Sequence, residues 1–86
     1  MEIKREAMAG SVESNDILVK VSQGTGVTID LESEFIKQYG DDIKEVIGET
    51  LKEYGADNVY LEATDKGALD FTIKARVITA LKRASA

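Results

Sequence analysis

Apolar and polar residues alternate over four short stretches of this chain. Ile17, Val19 and Val21 alternate with Leu18, Lys20 and Ser22. The same period of two runs through Val27, Ile29 and Leu31, through Val59, Leu61 and Ala63, and through Leu69, Phe71 and Ile73. That period marks a half-buried β-strand. Gln23-Gly-Thr-Gly26 joins the first two stretches, and its two glycines permit positive φ, so a hairpin or bulged turn is predicted there. The second strand's alternation runs on to Phe35. Asp65-Lys66-Gly67 predicts a tight turn between the third and fourth strands.

Between and after these stretches the period changes to that of a helix. Ile43, Val46, Ile47, Thr50, Leu51 and Tyr54 fall at i, i+3, i+4, i+7, i+8 and i+11, one apolar stripe. Gly40-Asp41-Asp42 is read as its start, with Asp41 or Asp42 as cap, and Gly55 as the residue just past its end. Gly48 inside it costs about 1 kcal/mol against alanine, and a close approach to the sheet accounts for it. From Ala75 onward Val77, Ala80, Leu81 and Ala84 share a second helical face, with Lys82 and Arg83 where the helix dipole favours cations.

The predicted order is β-β-α-β-β-α. Two hairpins of amphipathic strands imply an α+β domain of two layers, an antiparallel sheet with helices on one face. Residues 1–86 form a single domain, in which residues 1–14 are read as a flexible N-terminal arm and the first ten could instead form a short edge strand.

Composition narrows what such a domain does. The formal net charge of −5 disfavours nucleic acid and anionic membrane surfaces, and suits docking onto basic patches of a partner. There is no Cys and no His, which removes disulfides, catalytic thiols and the usual transition-metal ligands. No apolar run approaches the ~18 residues of a membrane span, and no signal-peptide core follows the N-terminus. The expected location is the cytoplasm.

Candidate chemistry is sparse. Asp41 and Asp42, Glu32 and Glu34, and Glu13 and Asp16 are paired carboxylates, but nothing in the sequence marks a buried pair with separated pKa values. Gly24-Thr-Gly26 lacks the following helix that a phosphate loop needs. Ser11 and Ser14 lie among small and acidic residues in Ala9–Asp16, with no base to activate either, so each is a turn serine or a point of attachment.

Three runs carry a family likeness: Met8-Ala-Gly-Ser-Val-Glu-Ser-Asn-Asp16, Gln38-Tyr-Gly-Asp-Asp-Ile43, and Asp65-Lys-Gly-Ala-Leu-Asp70 followed by Ala75-Arg76. Their order and spacing resemble the acyl carrier (gamma) subunit family of citrate lyase across nearly the whole chain. The resemblance implies a covalent prosthetic group, 2′-(5″-triphosphoribosyl)-3′-dephospho-CoA, joined through a phosphodiester to Ser14. Ser11 is the second candidate. Glu13 and Asp16 would orient or dock the loop.

The resemblance further implies a relay. A separate acetate ligase acetylates the group's thiol, the alpha subunit exchanges acetyl for citrate, and the beta subunit cleaves the citryl thioester to oxaloacetate. Partners are then the alpha and beta subunits, the ligase and the cofactor-transferring enzymes. The chain would carry the acyl group without itself being a catalyst. Fatty-acid-type carriers are helical bundles with Asp-Ser-Leu at a helix start. That motif is absent, so their fold is not expected. The alternatives are a carrier for citramalate lyase or malonate decarboxylase, a docking module that carries nothing, and, more remotely, a stand-alone hydrolase.

Overall fold

A computed structural model describes all residues, 1–86. Strands β1 (Ala7–Gly10), β2 (Ile17–Gln23) and β3 (Val27–Ser33) are followed by helix α1 (Ile36–Glu53), strand β4 (Val59–Asp65) and helix α2 (Asp70–Ser85). The four strands make one sheet in the order β1-β2-β4-β3. Both helices lie on one face, so the two-layer α+β expectation holds. The sheet itself is mixed, and the expected antiparallel arrangement is corrected at one ladder: β4 runs antiparallel to β2 and parallel to β3.

The predicted β2–β3 hairpin does not form, because β4 lies between the two strands. Val19 pairs with Ala63, and Ala63 pairs with Leu31 on its other side. The glycine connection instead passes over the start of β4. Gly24 N donates to Asn58 O at 3.2 Å, Val59 N donates to Gly26 O at 2.9 Å, and Gly26 N donates to Asn58 Oδ1 at 3.1 Å. A Cβ on Gly24 would stand 2.8 Å from Tyr60 N, so the crossing itself requires glycine. Burial explains why β4 is central. Val59, Leu61 and Ala63 are all buried, whereas β3 has only partly buried Ile29 and Leu31 and an exposed Val27. A strand of that composition belongs at an edge. The parallel β3–β4 pair is bridged by α1, as a parallel crossover demands.

The expected fourth strand at Leu69–Ile73 is the start of α2, which gives the order β-β-β-α-β-α. Leu69 and Phe71 are exposed, and only Ile73 of that trio is buried. Ile73 instead heads the helical series Val77, Ala80, Leu81 and Ala84, every member of which is buried. Three alternating residues fit either period, and packing against β1 and β2 decides for the helix.

Helix α1 starts at Ile36, four residues before the predicted Gly40. Asp41 and Asp42 sit exposed inside it and cap nothing. Phe35 is the N-cap residue and makes no side-chain cap bond. Gly40 is buried against Ile36, where a Cβ would meet Ile36 Cδ1 at 2.9 Å. A Cβ on Gly48 would find Ile29 Cδ1 at an ordinary 4.0 Å, so no close approach to the sheet accounts for that glycine. The stripe is as read: Ile43, Ile47, Thr50 and Leu51 are buried. The C-terminus is also as read. Gly55 has φ +64, its N–H bonds Lys52 O, and Ala56 N bonds Leu51 O, the paired bonds of a Schellman motif.

Of the two expectations for the first ten residues, a flexible arm or a short edge strand, the second is found: β1 is an edge strand of the sheet, and the Ser14 loop follows it. Ile3 is buried, Lys4 N and Arg5 N donate to Ala84 O, and β1 pairs with β2. No helix is long and apolar enough to cross a membrane.

Candidate functional site

The connection from β1 to β2 holds Ser11, Glu13, Ser14 and Asp16. It leaves β1 through Gly10, whose φ is +94 and whose Cβ would overlap the Ile17 carbonyl oxygen. Asn15 takes the left-handed conformation at φ +67, which its short polar side chain tolerates better than most. The loop is laced to the β4–α2 turn at two main-chain points: Asn15 N donates to Lys66 O at 2.7 Å, and Lys66 N donates to Asp16 O at 2.9 Å. Ser14 is exposed on the turn just before these anchors.

Asp16 holds the loop from its other side. Its two oxygens accept Arg76 Nε and Nη2, each at 3.0 Å. Oδ2 also accepts Ser11 Oγ at 2.6 Å, and Oδ1 accepts Ile17 N at 2.7 Å. The Arg76 fork, then the Ser11 hydroxyl, favour the ionised form and outweigh the partial burial that opposes it. The carboxyl is thereby lowered from 3.8 to about 2. A carboxylate that weakly basic is a poor proton acceptor for Ser14.

The structure brings Ser14, Asp16 and Glu13 together but gives them different parts. Ser11 is engaged with Asp16, while Ser14 is presented outward. Glu13 contributes backbone: its N–H donates to Ser11 Oγ at 3.3 Å and its carbonyl accepts Asp16 N at 3.1 Å. Its side chain is exposed. No group of three or more His, Cys, Asp or Glu residues is placed to hold a metal ion.

Two residues of this site stand in the quoted runs but were given no role from the sequence. Arg76 lies sixty positions from Asp16, and nothing local to it points to that partner. Asp65, which also falls in the predicted turn, is 2 % exposed. It accepts Ser33 Oγ at 2.9 Å and Ala68 N at 3.0 Å, tying the end of β3 to the β4–α2 turn. That turn bends at Gly67, φ +90, which faces both Phe35 and Asn15.

A groove of about 850 Å³ opens beside Ser14 and Asn15, between α1 and the β4–α2 turn. The three sequence runs quoted above converge here. Ser14 and Asn15 come from the first, Tyr39, Asp42 and Ile43 from the second, and Asp65 to Asp70 from the third.

Known proteins match this chain in sequence and in fold. The family model described as malonate decarboxylase delta subunit (MdcD) matches residues 4–84. The citrate lyase acyl carrier protein of Lactobacillus acidophilus is 59% identical over 86 residues, covering 99% of this chain and 89% of that one. Its counterpart in Leuconostoc mesenteroides subsp. cremoris is 53% identical over 85 residues, covering 98% and 88%. Among solved structures, a chain of a Pseudomonas malonate decarboxylase hetero-tetramer in complex with malonate superposes with a TM-score of 0.82 at 14% identity. That match covers 95% of this chain and 86% of the other and shows a shared fold. Taken with the identities, these matches establish that the chain belongs to the citrate lyase acyl carrier protein family.

Proposed function

We propose that residues 1–86 form one acyl-carrier domain that holds 2′-(5″-triphosphoribosyl)-3′-dephospho-CoA on the Ser14 oxygen. On this reading it serves the alpha and beta subunits of a cytoplasmic citrate lyase. The observation that carries the reading is the contrast between the two serines: Ser11 is tied to Asp16, and Ser14 stands exposed on a loop braced from both sides. A phosphodiester needs a reachable hydroxyl, and only Ser14 offers one without breaking the brace.

The group would supply the thiol on which acetyl and citryl are carried, chemistry that a chain without Cys or His cannot supply. The chain's own residues present it. Arg76 neutralises Asp16 next to the attachment point, which lessens repulsion of an incoming phosphate. The brace fixes where the tether starts, so the tether's length, rather than loop wandering, sets the reach between two active sites. Activation of the Ser14 hydroxyl falls to the transferring enzyme, because Asp16 is a poor base. Glu13, exposed beside Ser14, is suited to contact that enzyme.

Co-production with the cofactor-synthesising and attaching enzymes tests this. Intact mass and peptide mapping should show a cofactor-sized gain on the Ser14 peptide, absent in Ser14→Ala. No gain, with the enzymes active on a known carrier, overturns the reading in favour of a docking module. A gain that persists in the control moves the attachment to Ser11. The likeness to the malonate decarboxylase chain keeps a decarboxylase or citramalate lyase carrier as the second reading, separated by which acyl substrate the loaded protein turns over with each set of partners.

A further inference from the structure

The groove beside Ser14 is lined by both apolar and acidic side chains. Tyr39, Ile43 and Val46 of α1 and Leu69 before α2 supply the apolar part. Two of these side chains are largely exposed, Tyr39 at 57% and Leu69 at 61%. Asp42, Glu45 and Glu49 line the groove from α1 at i, i+3 and i+7, one helical face, and Asp70 stands at the start of α2. The chain's ion pairs engage Asp16, Glu6, Glu62, Glu34 and Glu53 and leave the three α1 carboxylates free. The one basic residue lining the groove, Lys66, is paired with Glu34 at 3.3 Å.

Two occupants can be compared on charge. A phosphate-bearing tether with a carboxylate cargo is anionic, and folding it back between Asp42, Glu45 and Glu49 would set like charges against one another. A protein segment with Lys or Arg around an apolar side chain satisfies both features, the unpaired carboxylates and the exposed apolar side chains. We propose that this groove is the docking cleft for a basic, apolar-tipped segment of the enzymes that act on the carried group, and that the cargo stays outside it. The proposal rests on the carrier reading of Ser14. It adds that a partner seated in the cleft has Ser14 at the edge of the interface, so the tether starts at the partner's surface.

Titration of the purified alpha and beta subunits with three forms of the chain tests it: wild type, Ser14→Ala, and the triple Asp42→Asn, Glu45→Gln, Glu49→Gln. All three α1 positions are exposed, so the fold should persist, and an amide NMR spectrum checks that. Wild type and Ser14→Ala should bind alike, with affinity that falls as salt rises. The triple variant should bind about ten-fold more weakly at low salt and show a flatter salt dependence. Leu69→Ser should weaken binding without changing the salt slope. Equal affinity and slope for the triple variant, or no saturable binding of wild type to either subunit, overturns the proposal. So does a shift of the Tyr39, Val46 and Leu69 amides when Ser14 is modified without partners, which would place the tether in the groove. Failure of the carrier reading has its own signature, an unmodified Ser14, and leaves the Ser14→Ala titration intact.

Discussion

Arg76 reaches from α2 to Asp16 with Nε and Nη2 each 3.0 Å from a different carboxylate oxygen. This fork joins the Ser14 loop to a helix distant in sequence, and the loop's other anchor is the Lys66 backbone. Ser14 is thus placed by α2 and by the β4–α2 turn together.

Removing the fork should loosen the loop without unfolding the domain. Arg76 is 41% exposed at its side chain, so Arg76→Ala should cost only about 1–2 kcal/mol in urea unfolding. Arg76→Lys keeps the charge but loses the planar geometry, and should recover less than half of that. Amide exchange at Asn15 and Asp16 should rise in both variants, and cofactor attachment should slow while Ser14 itself is intact.

The two serines should separate stability from modification. Ser11→Ala takes a 2.6 Å donor from Asp16 and should destabilise by about 1 kcal/mol while still accepting the cofactor. Ser14→Ala removes an exposed hydroxyl and should leave urea stability within about 0.5 kcal/mol, yet abolish attachment. Unfolding curves and intact masses of the two variants check the crossed pattern.

The legibility of this chain depended on how local each constraint is. The α1 stripe, its Gly55 terminus and strands β2, β3 and β4 were readable because their periods are set by residues a turn or a pleat apart. Strand neighbours were not, because β4 comes between β2 and β3 only after α1 has crossed over. Two glycines look the same whether a turn closes a hairpin or clears another strand. At the site, Ser14 and Asp16 were legible from the run that contains them and its family likeness. Arg76 and the buried Asp65 stand in the third run, but their partners, Asp16 and Ser33, are set by tertiary contacts that no spacing announces.

The crossing can be tested at its glycines. A Cβ on Gly24 would press on the β4 backbone, Tyr60 N and Val59 C both at 2.8 Å, whereas one on Gly26 would meet nothing within 4 Å. Gly24→Ala should therefore cost about 1–3 kcal/mol through overpacking. Gly26→Ala should cost only the left-handed strain of its φ of +73, about 1 kcal/mol. In a β2–β3 hairpin no strand would stand over Gly24, and the order of the two variants would be equal or reversed. Thermal or urea unfolding of the pair decides.

Acid should release the loop through Asp16. Its carboxyl is lowered from 3.8 to about 2, chiefly by the Arg76 hydrogen bonds and then by Ser11. A depressed folded-state value means the unfolded chain binds the proton more readily, so protonation favours unfolding. The contribution is complete above about pH 4 and disappears as pH falls through about 2. Asp16→Asn cannot gain from ionisation at any pH. The stability gap between wild type and Asp16→Asn should therefore be constant from neutral pH down to about 4 and shrink progressively below it. Partial exposure of Arg76 and screening by salt keep that gap near 1 kcal/mol, smaller at high ionic strength. Urea titrations of both proteins between pH 2 and 7 measure it. A gap that stays flat down to pH 2 would show that Asp16 acts through shape and uncharged hydrogen bonds, and that the Arg76 fork contributes nothing as an ion pair.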